Sequence, residues 1–209
     1  CCSPGGLSVS AYFGIATPQA NPTVEAECRW LFPGAATPCV MRLVSPEQDS
    51  LTRLRHYLQV LRSAPAQFDT LRLAALGFAC TGTSYLVDPA AEAAVVDEVS
   101  AALQAPVVTG AAALRAGVAA LGARRVALLC PYPEALCAAL RGWWERAGVE
   151  VVALQAPWPH PAGMGRQWYD LQQPNWPELP GARAALKQRL LDLSRELPLE
   201  DTILLGFSQ

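Results

Sequence analysis

Apolar and polar positions along the chain fall into blocks that switch period. Short apolar runs at Val9 to Ala16, Cys39 to Val44, Leu71 to Ala79, Pro106 to Val108, Arg125 to Cys130, Val149 to Leu154 and Thr202 to Phe207 predict strands. Between them the spacing changes to three and four. Leu51, Leu54, Leu58 and Leu61 make one buried helical stripe, and Val95, Val96, Val99 and Leu103 turn inward on a helix from Pro89 to about Gln104. Punctuation agrees with the periods. Asn21-Pro22 and Asp88-Pro89 read as caps followed by proline at the first helical position, and Ser45-Pro46-Glu47-Gln48 reads as a capping box. Thr109 caps a small-residue helix that ends at Gly122, Gly148 closes a helix over Glu134 to Ala147, and a last helix covers Gly181 to Leu197.

Strand and helix therefore alternate, with connections too short for anything but neighbouring packing. That pattern predicts an α/β fold: a mostly parallel sheet with helices on both faces. From Ala156 to Pro180 the texture changes, with Trp158, Trp168 and Trp176 among prolines and glycines. A segment so long and apolar reads as a functional loop or a packed excursion.

Composition narrows the class. With 209 residues, 52% of them hydrophobic and 16% charged, the chain can bury a substantial core as one large domain or two small ones. A net charge of -2 argues against nucleic acid as the main partner. No apolar run approaches the roughly 18 residues that span a bilayer, so no membrane association is expected. Seven cysteines, an odd number in no zinc-like spacing, suggest reduced thiols in a cytoplasm, with no metal and no cofactor implied. The chain begins at Cys1 and stops at Gln209 just after an apolar run, which reads as a fragment rather than a lipid-modified mature end. Ending on a sheet strand leaves apolar surface, so self-association into a homo-oligomer is an expectation.

Candidate chemistry gathers where strands end. The run from Leu71 delivers Cys80 to a strand's carboxyl end, the edge at which open α/β sheets keep their sites. Small hydroxyl residues and glycine come next, then the helix start at Asp88. Backbone N–H groups and a helix N-terminus there would lower the thiol's pKa; alternatively Cys80 is a small buried hydrophobe. Asn21 sits where an anion could be held, or is a cap and nothing more. Tyr132, in Pro-Tyr-Pro after the strand ending at Cys130, occupies the same kind of rim position. His56 reads as a partly exposed helix residue rather than a ligand.

Three pieces in this order, T-P-Q-A-N-P-T-V-E, A-C-T-G-T-S and C-P-Y-P, give residues 1–152 a combination that resembles the aspartate/glutamate racemase superfamily, nearest its maleate isomerase and arylmalonate decarboxylase branch. The resemblance implies two similar α/β halves, each giving a cysteine, and a small carboxylate substrate held by N–H and hydroxyl donors. By position Cys80 looks like the first cysteine, a base or nucleophile; Asn21 and Thr81 look like carboxylate holders, and Tyr132 like the hydroxyl pointing into the site. Gly82 stands where that pattern leads one to expect serine, and no cysteine follows Cys137 to be the second.

Residues 152–209 resemble something else. A-P-W-P-H-P-A-G-M-G-R-Q-W-Y-D-L, a helix and I-L-L-G-F-S-Q look like the phospholipase/carboxylesterase group of α/β-hydrolases, with Ser208 matching the nucleophile at the elbow. The acid and histidine that come after the serine in that group are missing, and His160 precedes it. The expectation is thus a racemase-like region over 1–152 joined to a partial hydrolase-like region over 153–209. Its function would be a cysteine-dependent, cofactor-independent isomerase, racemase or decarboxylase of small carboxylic acids, impaired by loss of the second cysteine. The alternatives are a serine esterase fragment acting through Ser208, or an inactive chimera.

Overall fold

The computed structural model describes residues 11–32, 34, 36–156, 158–160, 166–170, 173–195 and 203–206. The chain divides into two compact units, Cys1–Ala113 and Leu114–Gln209.

In the first unit four parallel strands lie in the order β2-β1-β3-β4: β1 (Ala11–Pro18), β2 (Ala36–Leu43), β3 (Leu76–Phe78) and β4 (Val107–Thr109). Helices α1 (Thr23–Leu31), α2 (Ser50–Val60), α3 (Ala64–Phe68), α4 (Thr81–Leu86) and α5 (Pro89–Leu103) connect them, with a 3-10 turn at Leu61–Ser63 between α2 and α3. Alternate residues of the central strands, Ala16, Leu76 and Phe78, are buried against Leu58 and Leu61 of the predicted leucine stripe and Val99 of α5. Hydrophobic burial on this scale is what holds the layer together. Gly14 of β1 marks how closely it packs, since a methyl there would come within 2.7 Å of Leu73 and 2.8 Å of Leu76.

The second unit is built around β5 (Arg125–Cys130), which pairs in parallel with β6 (Glu150–Gln155) on one side and β9 (Ile203–Gly206) on the other. Helix α6 (Gly110–Ala120) carries the chain across the division, and α7 (Glu134–Arg146) links β5 to β6. Trp144 of α7 is fully buried, and Arg115 lies 5.4 Å over the ring of its neighbour Trp143. Gly148, with φ +75, ends the helix as the sequence predicts. The tryptophan-bearing segment contributes a short antiparallel pair, β7 (Trp158–Pro159) and β8 (Arg166–Gln167), before α8 (Leu179–Ser194). It is tied down: Arg166 N donates to Pro131 O at 2.9 Å, and the Arg166 guanidinium donates to Ala156 O.

The α/β class with parallel strands and covering helices is as read from the sequence, but the strands form two parallel sheets instead of one. The change in resemblance near residue 152 falls inside β6, whose ladder to β5 runs unbroken from Glu150 to Gln155, whereas the compact units divide at 113. No helix among the described residues is long and apolar enough to cross a membrane.

Candidate active site at the carboxyl edge of the first sheet

Because β1, β2 and β3 are parallel and adjacent, the residues just past their ends share one edge of the sheet. Gln19 and Asn21 come after β1, Ser45 after β2, and Cys80 and Thr81 after β3. Helix α1 starts at Thr23, one residue later than the proline rule suggested. Asn21 still serves its first turn, because Oδ1 accepts from Thr23 N at 3.0 Å and Thr23 Oγ1 at 2.8 Å. That leaves the Asn21 amide nitrogen as its free donor among the described residues. The Arg42 guanidinium of β2 clamps the same turn by donating to both Asn21 O and the Glu25 carboxylate.

Cys80 is buried, 5% exposed, and is the N-cap of α4. The small hydroxyl residues and glycine after Cys80 thus form a helix of their own ahead of the helix start read at Asp88. Thr, Gly and Ser are poor helix formers; burial of Gly82, Thr83, Ser84 and Tyr85 overrides their propensity. Consequently the backbone N–H groups of Gly82 and Thr83 face the sulfur. The Thr83 hydroxyl lies 3.2 Å from Cys80 Sγ and 2.6 Å from Leu54 O. It has one proton to give, so it serves the carbonyl or, once the sulfur ionises, the thiolate. These donors stabilise the anion, but burial outweighs them and pushes the Cys80 thiol above its ordinary value. The expected low-pKa thiolate is therefore corrected to a thiol that keeps its proton at neutral pH.

Two neighbours were missed by the sequence reading. Tyr57 of α2 is 3% exposed; burial, with the negative charge that Cys80 can carry as the next cause, raises its phenol pKa, while Gln19 N–H faces its oxygen. Its signal was present, since position 57 falls three after Leu54 and four before Leu61, on the apolar stripe. Ser45 is the other. The predicted capping box does not form, because α2 starts at Ser50 and Asp49 is the cap, its carboxylate accepting from Thr52 N at 2.7 Å. Released from that role, Ser45 takes Gln19 Oε1 on its N–H at 2.7 Å and meets His56 Nδ1 with its hydroxyl at 2.8 Å. His56 is half-buried, turned toward the strand ends.

The structure thus gathers Asn21, Cys80 and Thr81 at one sheet edge. Half-buried Thr81 is the first residue of α4, with Gly110 close against it: a methyl on Gly110 would sit 3.3 Å from Thr81 Cγ2. Tyr132 belongs to the second unit, half-buried directly after β5, with its carbonyl accepting from Cys137 Sγ at 3.6 Å. Ser208 lies outside the described residues. Among the described residues no group of three or more His, Cys, Asp or Glu is placed to hold a metal ion.

Similarity to known proteins covers the same edge. The maleate isomerase Iso from Pseudomonas putida S16 superposes with a TM-score of 0.63 at 21% identity, covering 70% of this chain and 64% of that one. A maleate cis–trans isomerase of Nocardia farcinica, carrying a covalently bound succinylcysteine intermediate, gives 0.57 at 27% identity over 69% and 64%. The chain therefore spans a little under two thirds of these isomerases. A liganded arylmalonate decarboxylase mutant gives 0.61 at 18% identity, covering 94% of this chain and 77% of that one. That coverage runs on past residue 152, and the α/β-hydrolase likeness read there gains no support. A search of the curated proteins finds no match. The arylmalonate decarboxylase family model matches residues 13–157, well over half of the chain, and the chain belongs to that family.

Proposed function

We propose that the protein is a cysteine-dependent enzyme needing no cofactor, which isomerises or decarboxylates small carboxylic acids through Cys80. The observation that carries this reading is the buried thiol at a strand's carboxyl end with two backbone N–H groups and a hydroxyl turned toward it. Such preorganised donors favour the form in which negative charge develops. The succinylcysteine held by the Nocardia isomerase supports covalent addition as the chemistry. With a maleate-type diacid, the Cys80 thiol first gives its proton to water; the thiolate so formed bonds to one alkene carbon and the π pair moves to the other, where the attached carboxylate delocalises it. Rotation about the new single bond and expulsion of the sulfur give the trans acid; protonation of the carbanion instead leaves a stable thioether. Asn21 and Thr81 hold a carboxylate in this reading. Thr83 turns from Leu54 O to the sulfur as charge appears there.

Within the 209 residues no cysteine follows Cys137 to act as the second proton-transfer group. Slow turnover with an accumulating adduct is the expected behaviour. Incubation with maleate, then intact-mass and peptide mass spectrometry, tests it: one succinyl adduct on Cys80, absent in Cys80→Ala, is expected. No adduct and no fumarate by proton NMR, in a chain that binds maleate, would sink the covalent role.

A further inference from the structure

The second unit contains a pair of thiols that the proposed chemistry does not use. Cys130, the last residue of β5, and Cys137, in the first turns of α7, lie with their sulfurs 3.4 Å apart. Neither backbone is loose. Cys130 O accepts from Ala156 N at 3.3 Å, and Cys137 N donates to Pro133 O at 3.0 Å. The connection between them begins Pro131-Tyr132-Pro133, where two prolines fix φ and restrict how far the strand end and the helix start can part. A disulfide needs its sulfurs about 2.05 Å apart, a closure within reach of side-chain rotation from 3.4 Å.

We infer that Cys130 and Cys137 are a modification site: a dithiol that a peroxide converts to a reversible intrachain disulfide. Cys137, at 8% exposed the more accessible of the two, reacts first. Its thiolate attacks one peroxide oxygen, the O–O bond breaks, and sulfenic acid and hydroxide result. The Cys130 sulfur then attacks the sulfenic sulfur, the S–O bond breaks and water leaves. Overall two thiols and one hydrogen peroxide give one disulfide and two waters. The adjoining thiol and burial both hold the proton on Cys130, so that proton leaves only as the disulfide closes, carried off in the departing water.

Oxidation also removes the Cys137 thiol as a donor to Tyr132 O. The segment that carries Tyr132 thereby loses one tie to α7.

The experiment treats the full chain, in a Cys80→Ser background so that Cys80 cannot react, with dilute hydrogen peroxide. It is then unfolded, alkylated, digested and analysed by mass. The expected product is one cross-linked 130–137 species two hydrogens lighter, restored by phosphine reductant and absent in Cys137→Ala. Cys137→Ser serves as the second variant should alanine disturb the fold, checked by circular dichroism. Full alkylation of both residues after peroxide, or cross-links only between chains, would overturn the site.

Discussion

Two strand-to-helix junctions in this chain carry a cysteine at nearly the same place and give it opposite surroundings. After β3 the helix begins at once. Thr81-Gly82-Thr83 turn two N–H groups and one hydroxyl toward Cys80, so a charge arriving on that sulfur would meet donors already in place. After β5 come Pro131-Tyr132-Pro133; proline has no N–H, and only that of Tyr132 faces Cys130. Its closest partner is a second thiol. Both pKa values rise, but for different reasons: burial against the pull of donors at Cys80, a neighbouring thiol reinforced by burial at Cys130. The residues just past the strand, rather than the cysteine itself, separate a sulfur suited to bond a substrate from one suited to bond another sulfur.

The widest gap between the junctions should appear on replacing each cysteine in turn. Cys80→Ala is expected to abolish the maleate adduct altogether, while Cys130→Ala leaves it forming at a rate within a few-fold of the parent. Adduct mass against time is the measurement, and equal loss from both variants would erase the distinction. Next comes the donor set. Thr83→Val removes the hydroxyl from both Cys80 and Leu54 O; the Leu54 carbonyl keeps its place in the helical ladder of α2, so the loss is that of one side-chain hydrogen bond, about 0.5–1.5 kcal/mol, read as a lower urea midpoint. Cys80 alkylation in the still-folded variant should also slow, because one stabiliser of the thiolate is gone. A variant alkylated as fast as the parent would show that Thr83 matters to the fold alone.

Proton linkage brings the two junctions together again. Cys80, Cys130 and Tyr57 all have folded pKa values above their ordinary ones. The folded chain therefore keeps protons that the unfolded chain has begun to release, and stability must fall as pH rises past the unfolded thiol and phenol values. Urea midpoints should hold near neutrality and drop through the alkaline range. In Cys80→Ala the drop should be shallower by that residue's share, and identical slopes would mean that the thiol is not buried as described.

Much of this was legible along the chain, and the losses have a physical pattern. Element positions with strong local signals survived: the strand Arg125–Cys130, the Asp88 cap that accepts from Ala90 N and Ala91 N, and the glycine after α7. Helix α4 was lost because its residues disfavour helix and only burial holds them there. The start of α2 was misplaced because Ser45 and Asp49 both satisfy the local rule for a cap, and nothing local decides between them. Cys80's position could be read, but not its proton affinity. A sequence suggests the donors around a sulfur; how much water has been excluded is known only once α2 and α4 pack over it.

The smallest expected effect probes the spacing that the Cys80 junction needs. Gly110, where α6 leaves β4, has ordinary backbone geometry, so alanine there costs no left-handed strain and even favours the helix slightly. Its methyl, however, would lie 3.3 Å from Thr81 Cγ2 and 3.5 Å from Phe78 O, tighter than comfortable contact. Thr81 must move by a few tenths of an ångström, whereas Cys80 keeps its donors. Gly110→Ala should thus leave the urea midpoint within about 1 kcal/mol of the parent and leave Cys80 alkylation unchanged, while malonate affinity falls by a few-fold. If affinity stays the same as Thr81 is crowded, Thr81 is not holding the carboxylate, and the anion site must be rebuilt around Asn21.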